Sequence, residues 1–123
     1  MIKIKYLGNL AKFIMNDRKN FIFLSNANIS KKINLDEMLY LRVDDYLLSF
    51  YLENKKCFSC CKSMGEITKI LPSSFLRINR YCIVNKNKIS HLERSKRAIT
   101  LNDGSKHVVS HRRMKEIFLT ITG

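Results

Sequence analysis

The chain has 123 residues, 46% of them hydrophobic, with 23 Lys+Arg against 10 Asp+Glu and a formal net charge of +13. That length suits one domain with a modest core, the apolar content excludes a disordered chain, and no uncharged apolar run reaches the roughly 18 residues of a membrane span. The charge is uneven, with 10 basic and 6 acidic residues in 1–60 and 13 and 4 in 61–123, so the C-terminal half carries a field suited to a polyanion.

Residues 1–20 read as a separate N-terminal segment. Leu7, Leu10, Ala11 and Ile14 fall at i, i+3, i+4, i+7, which predicts a short helix. Whether it packs on the body, pairs with a second copy or is the remnant of a linker stays open. The body, residues 21–123, changes period. Phe21 to Leu24 and Ile29 to Leu35 are strand-like around a Ser25–Asn28 turn. Met38 to Val43 is a further strand, ended by Asp44-Asp45. Tyr46 to Leu52 and Lys56 to Cys61 form a hairpin around Glu53-Asn54-Lys55.

Ser63-Met-Gly-Glu66 has the form of a capping box, Ile67, Ile70 and Leu71 give the helix an apolar stripe, and Pro72 ends it. Phe75 to Asn85 follows, apolar except for Arg77, Asn79, Arg80 and Asn85. Strands are expected near Lys88 to Glu93, at Ala98 to Leu101 and from Lys106 to Val109. Asn102-Asp-Gly104 marks the turn between the last two. Ser110 is placed to cap a final helix whose Met114, Ile117, Phe118 and Ile121 make one face. Many short strands with two or three short helices define a mostly β chain.

Constellations for catalysis are weak. There is no Gly-rich phosphate loop, HExxH or GxSxG. Asp36-Glu37 and Asp44-Asp45 suit a helix or turn start and a strand-ending turn better than a metal site. No catalytic residue, metal, cofactor or small-molecule substrate is assigned. The first twenty residues lack the apolar core and cleavage site of a signal peptide. A cytoplasmic location is therefore expected, with the four cysteines reduced. Cys57 and Cys60 form a CxxC on a predicted strand, where they point to opposite faces. Small buried hydrophobes are the expected role of the cysteines, with a redox switch at Cys60, Cys61 or Cys82 as a minor alternative. His91, His107 and His111 are scattered and suit surface or packing roles.

The basic clusters carry more. Arg77 and Arg80 sit on a segment too apolar to be a free loop, and arginines held on a rigid frame can be aimed at base edges or phosphates. The plainer reading is an edge strand with solvated charges. Arg94-Ser-Lys96-Arg97 falls at a hairpin bend and Lys86-Asn-Lys88 follows the Phe75–Asn85 segment. His111-Arg112-Arg113 opens the last helix, where cations oppose the helix dipole and so hint at an anionic partner.

Read together, three segments in register resemble the LytTR DNA-binding domain, usually the output half of bacterial response regulators of the LytR/AlgR type. They are Asp36-Glu-Met-Leu-Tyr-Leu-Arg-Val43 with Tyr46, then Phe75-Leu-Arg-Ile-Asn-Arg-Tyr-Cys-Ile-Val-Asn85, then Leu101-Asn-Asp-Gly-Ser-Lys106 with Val109-Ser-His-Arg-Arg-Met-Lys115. The resemblance spans about residues 21 to 120. It implies an elongated, mainly antiparallel fold of about ten short strands in three small sheets, with loops entering successive major grooves of duplex DNA. By position it makes Arg80, Arg112 and Tyr46 base-reading candidates, with Asn79 beside them. Lys62, Ser63, Arg77, Lys96, Arg113 and Lys115 become phosphate-contact candidates. Asn79 stands where many members have His, and Tyr81 where many have Ser.

These 123 residues contain no receiver module with a phosphoacceptor aspartate. A stand-alone regulator and a piece of a longer one both remain open. The expected partner is double-stranded DNA, at paired direct-repeat sites and with a homodimer on DNA. The reading set against it is a basic interaction module for an acidic protein or an anionic membrane surface, with DNA binding non-specific. Single-stranded nucleic acid would need more exposed aromatics than Tyr46 and Tyr81.

Overall fold

A computed structural model describes residues 21–123 in full and, of residues 1–20, the backbone of Lys3–Leu7, Ala11–Met15 and Asn20. The described residues form twelve strands in three antiparallel sheets. The first sheet joins β1 (Lys3–Leu7), β2 (Ala11–Met15), β3 (Asn20–Ser25) and β4 (Ser30–Asn34) in that order. The expected N-terminal helix is not what forms. Leu7 ends β1, Ala11 and Ile14 lie in β2, and Leu10 falls outside the described residues. Short apolar runs satisfy both periods, and here β2 pairs on both sides, Phe13 with Lys5 and with Ile22.

The second sheet, five-stranded, is built from β5 (Met38–Asp44), β6 (Leu47–Leu52), β7 (Cys57–Cys61), β8 (Phe75–Asn79) and β9 (Cys82–Asn85), in the order β7-β6-β5-β9-β8. The third joins β10 (Ile89–Glu93), β11 (Ala98–Leu101) and β12 (Lys106–Val108). Ten of the twelve strands thus fall between Asn20 and Val108, the number expected of the body. The helices are α1 (Met64–Ile70) and α2 (Met114–Thr122).

Two apolar clusters hold this together. One gathers Ile22, Leu24 and Ile33 from the first sheet, Leu48, Phe50 and Phe58 from the second, and Met64, Ile67 and Ile70 from α1. The other gathers Leu76, Ile78, Ile99, Leu101 and Val109 with Ile117 and Phe118 of α2. Strand β9 divides them. Ile83 faces the first cluster, Cys82 and Val84 face the second, and all four β9 residues are buried. A strand covered on both faces reads as an unbroken apolar run, which is why Cys82-Ile-Val84 shows no alternation. Each such aliphatic side chain contributes about 1.5–3 kcal/mol by burial.

Local signals behave as their chemistry requires. The Ser63 hydroxyl accepts from the Glu66 amide at 3.1 Å, and the Glu66 carboxylate accepts from the Ser63 amide at 3.4 Å, completing the capping box. Leu71, before Pro72, is extended and ends α1. Asn102 to Gly104 reverses the chain between β11 and β12, with Gly104 at φ 85°, a left-handed conformation that glycine adopts without Cβ strain. Ser110 departs from expectation. Its side chain caps nothing, and a 3-10 turn over His111–Arg113 comes before α2. The expected face is nonetheless present, with Ile117 and Phe118 buried and Met114 and Ile121 packed beside them.

Candidate nucleic-acid interface

The segment Phe75 to Asn85 is not one strand but a hairpin. Its outer strand is β8, its inner strand is β9, and Arg80 and Tyr81 form the turn. The pairing Arg77 with Ile83 followed by Asn79 with Cys82 skips a residue at Ile78. Such a bulge re-aims the side chains after it. The turn is fixed by side chains. Asn79 Oδ1 accepts from the Tyr81 amide at 2.8 Å, an Asx turn, and Arg77 Nη2 donates to the Arg80 carbonyl at 3.1 Å. Arg80 is exposed, its guanidinium carbon 5.3 Å from the centre of the Tyr81 ring.

Three further pieces adjoin this turn. The Val43 amide donates to the Tyr81 carbonyl at 2.9 Å, which joins the end of β5 to the hairpin. Beyond Val43, Asp45 takes a left-handed φ of 54° and presents Tyr46, which is 87% exposed. Tyr46 also shares a shallow depression with Cys61, Lys62 and Ser63, so the start of α1 lies beside it. On the other side, Asn79 Nδ2 donates to the Val108 carbonyl at 2.8 Å and the Ser110 amide to the Ile78 carbonyl at 2.9 Å. These bonds bring the segment that leads into Arg112 and Arg113 against the outer strand of the hairpin.

The result is a cluster of like charge. Burial, and after it the charges of Arg113 and Arg80, push the Arg77 guanidinium below its usual pKa, though arginine stays protonated at neutral pH. Arg77 Nε is buried without a hydrogen-bond partner among the described residues. An arriving anion would relieve the like charges that act on Arg77. Arg113 is half-buried at the start of α2, and its neighbour Arg112 is exposed, whereas the exposed Lys115 lines a separate depression with Arg94, His111 and Phe118.

The other expected contacts are placed less simply. Lys62 is buried, its ammonium 4.0 Å from the Glu66 carboxylate, and burial lowers its pKa against the pull of Glu66. A phosphate contact from Lys62 would require that side chain to swing outward. The Ser63 hydroxyl is engaged in the cap of α1. Lys96 is exposed on the Arg94–Arg97 turn and pairs with Glu93 at 3.5 Å. That turn is tied inward by the Val109 amide, which donates to the Arg97 carbonyl at 2.7 Å. Arg42, exposed on β5 opposite Cys82, adds a cation beside the hairpin that the sequence reading passed over. Its signal was local, a lone arginine between Leu41 and Val43.

The thiols divide. Cys60 and Cys82 are buried, as expected of small hydrophobes, but Cys57 and Cys61 are exposed at the two ends of β7, the outer strand of its sheet. Burial pushes the Cys82 thiol up to about 12, with Arg42 opposing, so it is unreactive at neutral pH. His107 is buried against Cys82, while His91 and His111 are exposed. Among the described residues no three His, Cys, Asp or Glu side chains gather into a metal site, and no helix is long and apolar enough to cross a membrane.

The comparisons with known proteins agree with this architecture. No curated protein matches the chain. A solved LytTr DNA-binding domain, from a protein described as a methyl-accepting/DNA response regulator of Bacillus cereus, superposes with a TM-score of 0.70 at 21% identity. That match covers 84% of this chain and 96% of that one. At that identity the likeness shows the fold. The family model of the LytTr DNA-binding domain matches residues 28–121, which takes in the hairpin, the Tyr46 loop and the Arg112 segment together. With more than half of its length matched in this way, the chain belongs to the LytTR DNA-binding domain family.

Proposed function

We propose that this chain is a sequence-specific, double-stranded DNA-binding transcription regulator. The observation that carries the proposal is the buttressed hairpin turn, which presents an exposed Arg80 held by Arg77, with the charge of Arg113 also acting on Arg77. Arginine forks match guanine O6 and N7 in the major groove, so Arg80 and Arg112 are assigned to base edges and Tyr46 to the adjacent loop contact. Arg77, Arg113, Lys115 and Lys96 supply phosphate contacts, which position the protein and give most of the affinity. Ser63 and Lys62 belong to the same face but are engaged within the protein. The family is a DNA-binding domain and not an enzyme class, and the chemistry of this face is binding.

The test is selection of bound duplexes from a random pool, followed by competition with unselected DNA. Recovery of a defined motif that resists the competitor supports the regulator. Recovery as two direct repeats about one helical turn apart would add a pair of protomers on one face of the duplex. Equal displacement by any polyanion would instead favour a basic module for an acidic protein or membrane surface.

A further inference from the structure

We propose that Asn79 is a positioning residue, which sets Arg80 and Arg112 at a fixed separation by bridging the two sheets that carry them, and does not itself read a base. This rests on the DNA-reading assignment of those two arginines.

Both ends of the Asn79 amide are engaged. Its Nδ2 donates to the Val108 carbonyl at 2.8 Å and its Oδ1 accepts from the Tyr81 amide at 2.8 Å. A carbonyl partner demands the nitrogen and an amide partner demands the oxygen, so the orientation of the side chain is determined by its neighbours. Asparagine reads adenine by placing both of these atoms on one base edge. With those two bonds made, Asn79 has one N–H and one lone pair left, and the hairpin and the neighbouring sheet dictate where they point.

What it joins is specific. Tyr81 belongs to the turn that presents Arg80. Val108 ends β12, and two residues later the Ser110 amide donates to the Ile78 carbonyl at 2.9 Å. Two consecutive residues of β8 therefore hold two points of the segment that runs into Arg112, and Val109 between them is fully buried. Reading two positions of one duplex needs a fixed spacing between the readers, and a hydrogen-bonded bridge supplies it where no covalent link does.

The test compares Asn79→Ala and Asn79→Ser with the wild-type chain, using amide hydrogen exchange in the free protein and selection from a random duplex pool. Serine can keep the short bond to the Tyr81 amide but cannot reach Val108. Asn79→Ala should exchange faster at the Tyr81 amide. It should also lose about fivefold or more in preference at each of the two positions read by Arg80 and Arg112, the lower end of the worth of a good base contact. Affinity for random duplex and its salt slope should stay the same. Asn79→Ser should keep the Tyr81 protection and the Arg80 preference, yet lose preference at the Arg112 position.

Loss confined to one base pair of its own, with the Arg80 and Arg112 preferences intact, overturns the proposal in favour of direct readout. Unchanged Tyr81 exchange in Asn79→Ala, with wild-type preferences retained, overturns it as well. A wild-type chain that selects no motif overturns the DNA-reading assignment itself, and the positioning role with it. Should Asn79→Ala fail to fold, Asn79→Ser decides by preference alone: loss at the Arg112 position with the Arg80 preference kept supports the bridge, and wild-type preference at both overturns it.

Discussion

Arg77 donates from Nη2 to the backbone carbonyl of Arg80 at 3.1 Å, so one arginine of the hairpin holds the backbone of the other. This separates two residues that look alike in the sequence. Arg80 is exposed at the turn, whereas Arg77 is half-buried with its Nε enclosed. Replacement by Arg77→Met keeps length and packing and removes the bond. Loss of the Arg77 charge should weaken binding to all duplexes, and release of the Arg80 turn should lower preference for the cognate duplex by up to about 1–3 kcal/mol more. Loss of fold stability should be smaller, because the substitution also relieves repulsion with Arg80 and Arg113. Titration of the variant against cognate and random duplex checks this, and an equal loss on both duplexes would remove the holding role.

Much of this architecture is legible locally. The β strands after residue 20, the Ser63–Glu66 box, the Asp-Gly turn and the 114/117/118/121 face all depend on neighbours within a few positions. The hairpin within Phe75–Asn85 is not legible in that way. Its turn lacks the Asn-Gly or Asp-Gly pair that marks a reversal, since Arg80 and Tyr81 are held by the Arg77 and Asn79 side chains instead. Ser110 looks like a helix cap because its residue type favours one. In the fold its amide is used across the junction with Ile78, 32 positions earlier, a contact no local window contains. Lys62 shows the same limit, since its burial follows from tertiary packing around α1.

Arg80 and Arg112 should differ from Lys96 in kind as well as in size. Arg80→Ala or Arg112→Ala should cost about 1–3 kcal/mol at the cognate site and relax preference at one position each. Lys96→Ala should weaken all duplexes about equally and lower the salt slope by about one. Its pairing with Glu93 is solvent-exposed and gives little stability to lose. Binding isotherms at several salt concentrations on cognate and scrambled duplexes separate the two behaviours. An arginine variant with unchanged preference loses its reading role.

Ser63 is expected to matter for folding more than for DNA. Its hydroxyl accepts from the Glu66 amide and lies 3.1 Å from the Glu66 carboxylate, so both its donor and an acceptor position are in use. Ser63→Ala should destabilise the chain by about 1 kcal/mol, as lost helix caps do. For a domain of this size that lowers the melting temperature by about 4 °C. Ser63→Gly should cost only a few tenths of a kcal/mol. Below the transition, DNA affinity should match the wild type, and an equal loss of affinity on cognate and random duplex would show instead that the hydroxyl meets a phosphate.

His107 should make stability depend on pH. It lies under the Tyr40 ring at 4.2 Å between centres, with Nε2 2.9 Å from the Ser105 hydroxyl and Nδ1 3.8 Å from the Cys82 sulfur. Burial lowers its pKa most. The Asp103 carboxylate raises it in part, and Arg42 lowers it further. The folded chain therefore keeps the ring neutral at a pH where the unfolded chain, with an ordinary pKa near 6.5, binds a proton. Stability from this group is complete above about pH 6.5 and falls as the pH drops below it, because the unfolded state then holds the extra proton. Urea unfolding between pH 8 and pH 5 should show the decline, and His107→Gln should flatten that part of the curve even if it lowers the plateau. A slope that persists in His107→Gln would assign the pH response to another group.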